Sequence, residues 1–412
     1  MESHTGASAE AGGKDADGYV SQAPGAPDVV IPQPSAGGSH LTAEISGRAV
    51  IENLKLLRQR ISSSTKLCAV VKANCYGHGL GMLLDIISAR ADMLAVATVQ
   101  EALEVRRLGF EGALLVFFPA CACADGQERC DALEQLISKG VTLTVVTEAD
   151  VEAIAAAAGR VETETDVHVK VDTGMGRSGI LSGEAPSLVE HIRRLTGVKL
   201  TGLYTHFASA DEADKTAALR QLEVFTEVVN ACRGHAGLTL HAANSAATID
   251  LPQTHWDMVR PGIAIYGYQP SDQMQTKLPF RPALRLTGRL MQVKDVAAGS
   301  SCGYGLTYTF ERAGRVGLVP VGYADGYMRS LSNKATMRVR GRDVPIRGRV
   351  SMDQTIIDLT EVSEARVGDE VEIISPDPQA PHSVVNLAHL AGTIPYEITC
   401  RLGRRVHRML VD

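Results

Sequence analysis

Between residues 67 and 262 the chain repeats one unit: a short apolar run, a polar turn, then a stretch with helical spacing. The runs are LCAVVK at 67–72, MLAVAT at 93–98, ALLVFF at 113–118, TLTVVT at 142–147, VHVKVD at 167–172, KLTGLYTH at 199–206, LTLHAAN at 238–244 and MVRPG at 258–262. Short aliphatic runs bounded by turn residues read as strands covered on both faces. Between them, VQEALEVRRLG, DALEQLISKG, SLVEHIRRLTG and LRQLEVFTEVVNACRG place apolar residues three and four apart, as helices do. Eight such units over about 200 residues are what a closed parallel barrel requires. An open doubly wound sheet uses fewer strands, and no GxGxxG opens a helix here. The expected fold is α/β, a (β/α)8 TIM-type barrel.

The flanks read differently. AEISGRAVIENLKLLRQRI, at 43–61, sets Val50, Leu54, Leu57 and Ile61 at helical spacing and reads as an amphipathic helix opening a barrel domain over 42–274. After residue 275, LRLTGRLMQVKDV, RVGLVPVGYADG, ATMRVRGRDVPIRGRVSMDQTIIDL and DEVEIIS are rich in β-branched residues and end in Gly or Asp turns. They predict a mostly β C-terminal domain over 275–412, with a short helix in NLAHLAGTIPYEITCRL. Residues 1–41 are dominated by Gly, Ala, Ser and Pro and read as a disordered tail, without the basic start and apolar run of a secretory signal.

Composition excludes several classes. A net charge of -6 with only 4% aromatic residues leaves no electrostatic footprint or stacking surface for nucleic acid. No uninterrupted apolar stretch reaches the roughly 20 residues of a membrane span. The eight cysteines include no CxxC pair, and Cys121, Cys123 and Cys130 lack both zinc-ribbon spacing and a neighbouring histidine. Reduced thiols in a cytoplasmic protein without a structural metal are the expectation.

A barrel of this kind carries its chemistry where strands end. Lys72 closes the first run, Lys170 and Asp172 the fifth, His206 the sixth, Asn244 and Ser245 the seventh, and Arg260 the eighth. Any one of these can be a polar residue closing a strand; so many together point to a site. Lys72 leaves a buried strand, and a partly desolvated lysine loses some preference for its charged form, which suits a covalently reactive amine. Barrels often bind phosphate with the loops after strands seven and eight, here Asn244–Ser245 and Gly262–Ile263.

The run AVVKANCYGHG resembles the cofactor-lysine motif of the alanine racemase family. The likeness extends through HVKVDTGMGRSG (168–179), LYTHFASAD (203–211), HAANSAAT (241–248), MVRPGIAIYG (258–267), CGYGLTYTF (302–310), PVGYADGYMR (320–329), GRVSMDQ (348–354) and IPYEI (394–398). It implies pyridoxal 5'-phosphate carried on Lys72, with its phosphate contacted by Tyr76, Ser245, Gly262, Ile263 and Tyr396. It implies Arg260 at the pyridine nitrogen, where a permanent cation opposes protonation of the ring, with His206 beside it. Arg177 and the backbone amide of Met352 match positions serving the substrate carboxylate, Tyr323 lines the entrance, and Lys170 matches a lysine carbamylated in some members. Racemisation needs a proton removed on one face of a carbon and delivered on the other, so two bases are expected. The resemblance supplies Lys72 for one face and, for the other, Tyr304 from the partner subunit of a head-to-tail homodimer.

The implied activity is interconversion of L- and D-alanine, a small amino-acid substrate, supplying D-alanine for peptidoglycan. A racemase of serine or of broad specificity is the alternative, against which Tyr396 is retained as in alanine-selective members. A non-catalytic cofactor-binding barrel protein would lack the second domain and its CGYG segment. A related decarboxylase would lack the combination of Arg260 and DTGMGRSG.

Overall fold

The chain enters through β1 (Leu41–Ser46) and α1 (Gly47–Gln59) in a computed structural model that describes residues 40–119, 126–232 and 237–412. The expected tail, but for its last two residues, lies outside the described residues, as do Cys121 and Cys123. The helix expected from residue 43 starts four residues later. Leu41, Ala43 and Ile45 alternate buried with half-buried neighbours, the period of a strand rather than a helix. Ser46 then caps α1, its hydroxyl accepting from Ala49 N at 3.0 Å.

The apolar runs form the barrel: β2 (Lys66–Val70), β3 (Met93–Val96), β4 (Leu114–Pro119), β5 (Thr142–Val145), β6 (Thr165–Asp172), β8 (Val198–Tyr204), β9 (Thr239–His241) and β10 (Met258–Val259). A two-residue strand, β7 (Ile180–Leu181), pairs only with β6. The order is β10-β2-β3-β4-β5-β6-β8-β9, with neighbouring strands parallel. Asp257 N donates to Leu240 O at 3.0 Å and Arg260 N to Ala243 O at 2.8 Å, joining β9 to the β10 segment and completing the ring.

Around it run α2 (Lys72–Tyr76), α3 (Leu80–Ser88), α4 (Val99–Arg107), α5 (Gly126–Ser138), α6 (Glu148–Arg160), α7 (Ala185–Arg194), α8 (Thr216–Ala231) and α9 (Ser245–Asp250). Capping boxes start two of them, Thr98 with Glu101 on α4 and Thr147 with Asp150 on α6. Among the described residues no helix is long and apolar enough to cross a membrane.

The second domain is mostly β, as expected. Its strands are β11 (Leu284–Arg289), β12 (Gln292–Val296), β13 (Ser301–Cys302), β14 (Tyr308–Thr309), β15 (Gly314–Val319), β16 (Thr336–Val339), β17 (Arg342–Pro345), β18 (Thr355–Asp358), β19 (Glu370–Ile374) and β20 (His407–Val411). They form a sheet ordered β17-β16-β19-β11-β1-β20, a smaller sheet β12-β15-β18 and the hairpin β13-β14. β1, ahead of the barrel in the chain, joins this sheet, lying antiparallel to β11 and parallel to β20. The one helix expected near the end is two, α10 (Val384–Ala391) and α11 (Pro395–Cys400). Gly392 caps the first at a φ of 74°, and Pro395 begins the second.

Candidate active site

Lys72 follows β2 directly and starts an unusual turn. Ala73, Asn74, Cys75 and Tyr76 all have φ between 51° and 54°. A left-handed residue other than glycine costs roughly 1–2 kcal/mol, so the turn must be held from outside. Glu101 does part of this: one carboxylate oxygen accepts from Ala73 N at 2.7 Å, the other from Ala97 N at 2.7 Å and Thr98 N at 3.1 Å. Asn74 accepts from Leu80 N at 2.6 Å, and Arg408 Nε donates to Gly77 O at 2.7 Å. Buried His78 points Nδ1 at the carbonyls of Cys75 and Tyr76, at 2.9 and 3.0 Å, so this nitrogen carries the hydrogen. Burial, then the charge of Arg177, lowers the pKa of Lys72 from the ordinary lysine value.

Tyr76 reaches the loops after β9 and β10. Gly262 N donates to Ser245 Oγ at 2.8 Å. A β-carbon at Gly262 would lie 2.2 Å from Tyr76 Oη, so only glycine lets the phenol approach. Asn244 shapes the Ser245 turn by accepting from Ala247 N at 3.0 Å, and Ile263 is buried behind it. Tyr396, on α11, sets its ring 6.1 Å from that of Tyr76. Two hydroxyls, a backbone loop and a second phenol thus gather around one glycine.

Beneath them lies a cationic floor. Arg260 is buried, and burial lowers its pKa to about 10, which still leaves it charged at neutral pH. Its guanidinium meets His241 Nδ1 at 2.9 Å, Thr205 O at 2.7 Å, Ala242 O at 3.2 Å and His206 Nδ1 at 3.4 Å. Because arginine only donates, His241 Nδ1 accepts; its hydrogen sits on Nε2 and points to His168 Nδ1, 2.9 Å away. Tyr204 stacks on His241 at 4.6 Å, takes Arg260 over its face at 5.2 Å, and hydrogen-bonds Thr144 at 2.8 Å. Burial and then Arg260 push His206 well below the usual imidazole range, so it is neutral. Lys170 is lowered to about 8 by burial, then by Arg177, Arg260 and Lys72. Arg177 follows a loop wound on Asp172, whose carboxylate accepts from Gly174 N, Met175 N and Gly176 N at 2.9, 2.9 and 3.1 Å.

The contacts and charge couplings therefore bring together Lys72, Tyr76, Lys170, Arg177, His206, Ser245, Arg260, Gly262, Ile263 and Tyr396. Tyr304, Tyr323 and Met352 stand apart from this group, on the second domain. They are 70%, 42% and 53% exposed. They share one surface: Gly303 abuts Gly348 and Arg349, and Tyr323 N donates to Ser351 O at 3.1 Å.

Glu101, His78, Tyr204, His241 and His168 were not among the expected site residues. Thr98-x-x-Glu101 was legible as a capping box, but its reach to Ala73 was not. Tyr204, His241 and His168 lie inside apolar runs, where only the closed barrel shows that they face one another.

The matching families are described as alanine racemase N-terminal domain, over residues 45–270, and alanine racemase C-terminal domain, over 283–410. An alanine racemase of Desulfovibrio desulfuricans is 38% identical over 374 residues, covering 90% of this chain and 98% of that one. One from Halothermothrix orenii is 38% identical, covering 89% and 95%. Among solved structures, alanine racemase from a D-cycloserine-producing Streptomyces lavendulae superposes with a TM-score of 0.83 at 34% identity, covering 91% and 98%. The E. faecalis enzyme gives 0.83 at 33% identity, covering 90% and 98%.

Proposed function

The chain belongs to the alanine racemase family, and from that premise we propose that it interconverts L- and D-alanine, with pyridoxal 5'-phosphate on Lys72 and with Tyr304 of the partner subunit completing each site. The carrying observation is the convergence of a base-ready lysine, a glycine-floored cradle and a cationic floor at one barrel mouth. The residues present fit the cofactor. Ser245, Tyr76 and Tyr396 offer hydroxyls and Ile263 a backbone amide, where a phosphate dianion needs donors, with the Gly262 amide, engaged by Ser245 Oγ in this structure, beside them. Gly262 leaves open the space a β-carbon would fill against Tyr76.

Bound there, pyridoxal phosphate would supply the electron sink that lets alanine's Cα give up its proton. Lys72 moves that proton at Nζ, since burial and the charge of Arg177 favour its neutral form. The phenol of Tyr304 serves the opposite face. Its wide exposure, with that of Tyr323 and Met352, supports a face covered by a second copy, because large apolar side chains clustered at a surface mark interfaces. Arg177 and the Met352 amide orient the substrate carboxylate, and Tyr323 narrows the approach. Arg260 keeps its positive charge and would oppose a second one on the cofactor, while neutral His206 lies 3.4 Å from the guanidinium through Nδ1. With its amine partly neutral near pH 8, Lys170 is suited to carbamylation, which would give Arg177 an anionic partner. The D-alanine formed would feed peptidoglycan synthesis, in the cytoplasm.

Purified enzyme incubated with L-alanine should lose optical rotation until the enantiomers balance. Lys72→Ala should lose both this activity and the visible absorbance of the lysine-bound cofactor. Retained activity in Lys72→Ala would overturn the assignment.

A further inference from the structure

We propose that Arg405 is a positioning residue for the substrate carboxylate, locking together the two loops that present Tyr323 and Met352. This deepens the shared-site reading above and rests on it.

The two loops already touch through their backbones. Tyr323 N donates to Ser351 O at 3.1 Å and Ala324 N to Met352 O at 3.0 Å. A β-carbon on Gly322 would meet Met352 O at 2.2 Å, so the loops pack backbone against backbone. The Met352 amide itself donates to no acceptor among the described residues. An amide left in this state binds a carboxylate well only if its direction is fixed, since reacting groups tolerate little misplacement.

Arg405 supplies that fixing. Its Nε lies 3.0 Å from Asp325 Oδ1, and its Nη1 lies 2.8 Å from Asp353 Oδ1. Asp325 is the second residue after Tyr323, and Asp353 directly follows Met352. One planar guanidinium therefore holds a carboxylate on each loop. The inner carboxylate is buried and further engaged: its second oxygen accepts from Gly322 N at 3.0 Å. Gly403 N, two residues before Arg405, donates to Asp325 O at 3.0 Å, tying the arginine's own segment to the same loop. Both carboxylates sit against a single cation, so removing it leaves two neighbouring anions to push the loops apart. The outer pair is half exposed and adds little to stability; its consequence is where the Met352 amide points.

The test uses the cofactor-loaded dimer and two readouts: alanine kinetics, and competitive inhibition by propionate, which shares alanine's carboxylate and methyl but lacks its amine. In Arg405→Met, KM for alanine and the inhibition constant of propionate should both rise by roughly tenfold or more, while kcat changes little. The cofactor absorbance should be unchanged, because Lys72 and Tyr76 are not touched. Arg405→Lys, which keeps the charge but cannot span both carboxylates, should raise both constants by a smaller factor and decides the matter if the methionine variant does not fold. Unchanged KM and propionate inhibition, or a fall in kcat alone, would overturn the proposal. Tyr304→Phe separates the layers. If it keeps full turnover, the shared-site reading fails; if it loses turnover while the Arg405 variants bind propionate as the parent does, only the role of Arg405 fails.

Discussion

Gly262→Ala probes the cofactor cradle at its tightest point. The added methyl would sit 2.2 Å from Tyr76 Oη and 2.8 Å from Tyr76 Cζ, inside van der Waals contact with both. Gly262 has a φ of -124°, so the substitution carries no left-handed penalty and reports the steric contact. Tyr76 is buried against Tyr266 at 5.2 Å and Tyr396 at 6.1 Å, which leaves its ring little room to retreat. Overpacking of this kind costs about 1–3 kcal/mol. Relief by displacing the phenol instead loses a hydrogen bond to a charged phosphate, worth about 1.5–3 kcal/mol. Losing that bond weakens the cofactor by roughly tenfold to a hundredfold, at 1.4 kcal/mol per factor of ten. Titrating stripped enzyme with pyridoxal phosphate and following absorbance measures this directly. In a Tyr76→Phe background the nearest clashing atom is gone, so the alanine should cost less than in the parent. Parental affinity in Gly262→Ala, or equal costs in both backgrounds, would refute the cradle.

Because the enantiomers are equal in energy, Tyr304→Phe must lower kcat/KM equally in both directions; its asymmetry should appear in solvent deuterium exchange at Cα, lost from L-alanine and kept from D-alanine, and symmetric loss would count against the two-base assignment. Lys170 binds fewer protons in the folded than in the unfolded chain between its lowered pKa of about 8 and the ordinary 10.5, so it makes stability rise with pH across that window. In bicarbonate, a mass gain of one carbon dioxide should grow as pH rises toward about 8 and be absent in Lys170→Ala. Lys215 pairs with Asp250 at 3.0 Å in a largely buried setting, and Asp250 also accepts from Gln275 N and Thr276 N at 2.9 Å each. Lys215→Met should therefore cost about 3 kcal/mol in denaturant unfolding, the low end for breaking a buried pair, and a cost near zero would show that the carboxylate is hydrated.

Sequence alone determined the barrel, because strands buried on both faces must be written as apolar runs and the helices between them as amphipathic ones. It also marked Lys72, Lys170, His206, Ser245 and Arg260, since polar residues at strand ends stand out against such runs. The second domain was legible from its β-branched runs, but not the fact that β1 joins it: residues 41–46 alternate too briefly to be separated from the helix that follows, and only pairing with β11 and β20 fixes their state. Tertiary structure alone decided which polar groups meet. The tautomers of His241 and His168 follow from Arg260 reaching across the barrel, the grip of Glu101 on Ala73 spans two strand–helix units, and Arg405 joins loops far apart in the chain. Such contacts have no period for a sequence to display; they are set when distant strands and loops close on one another.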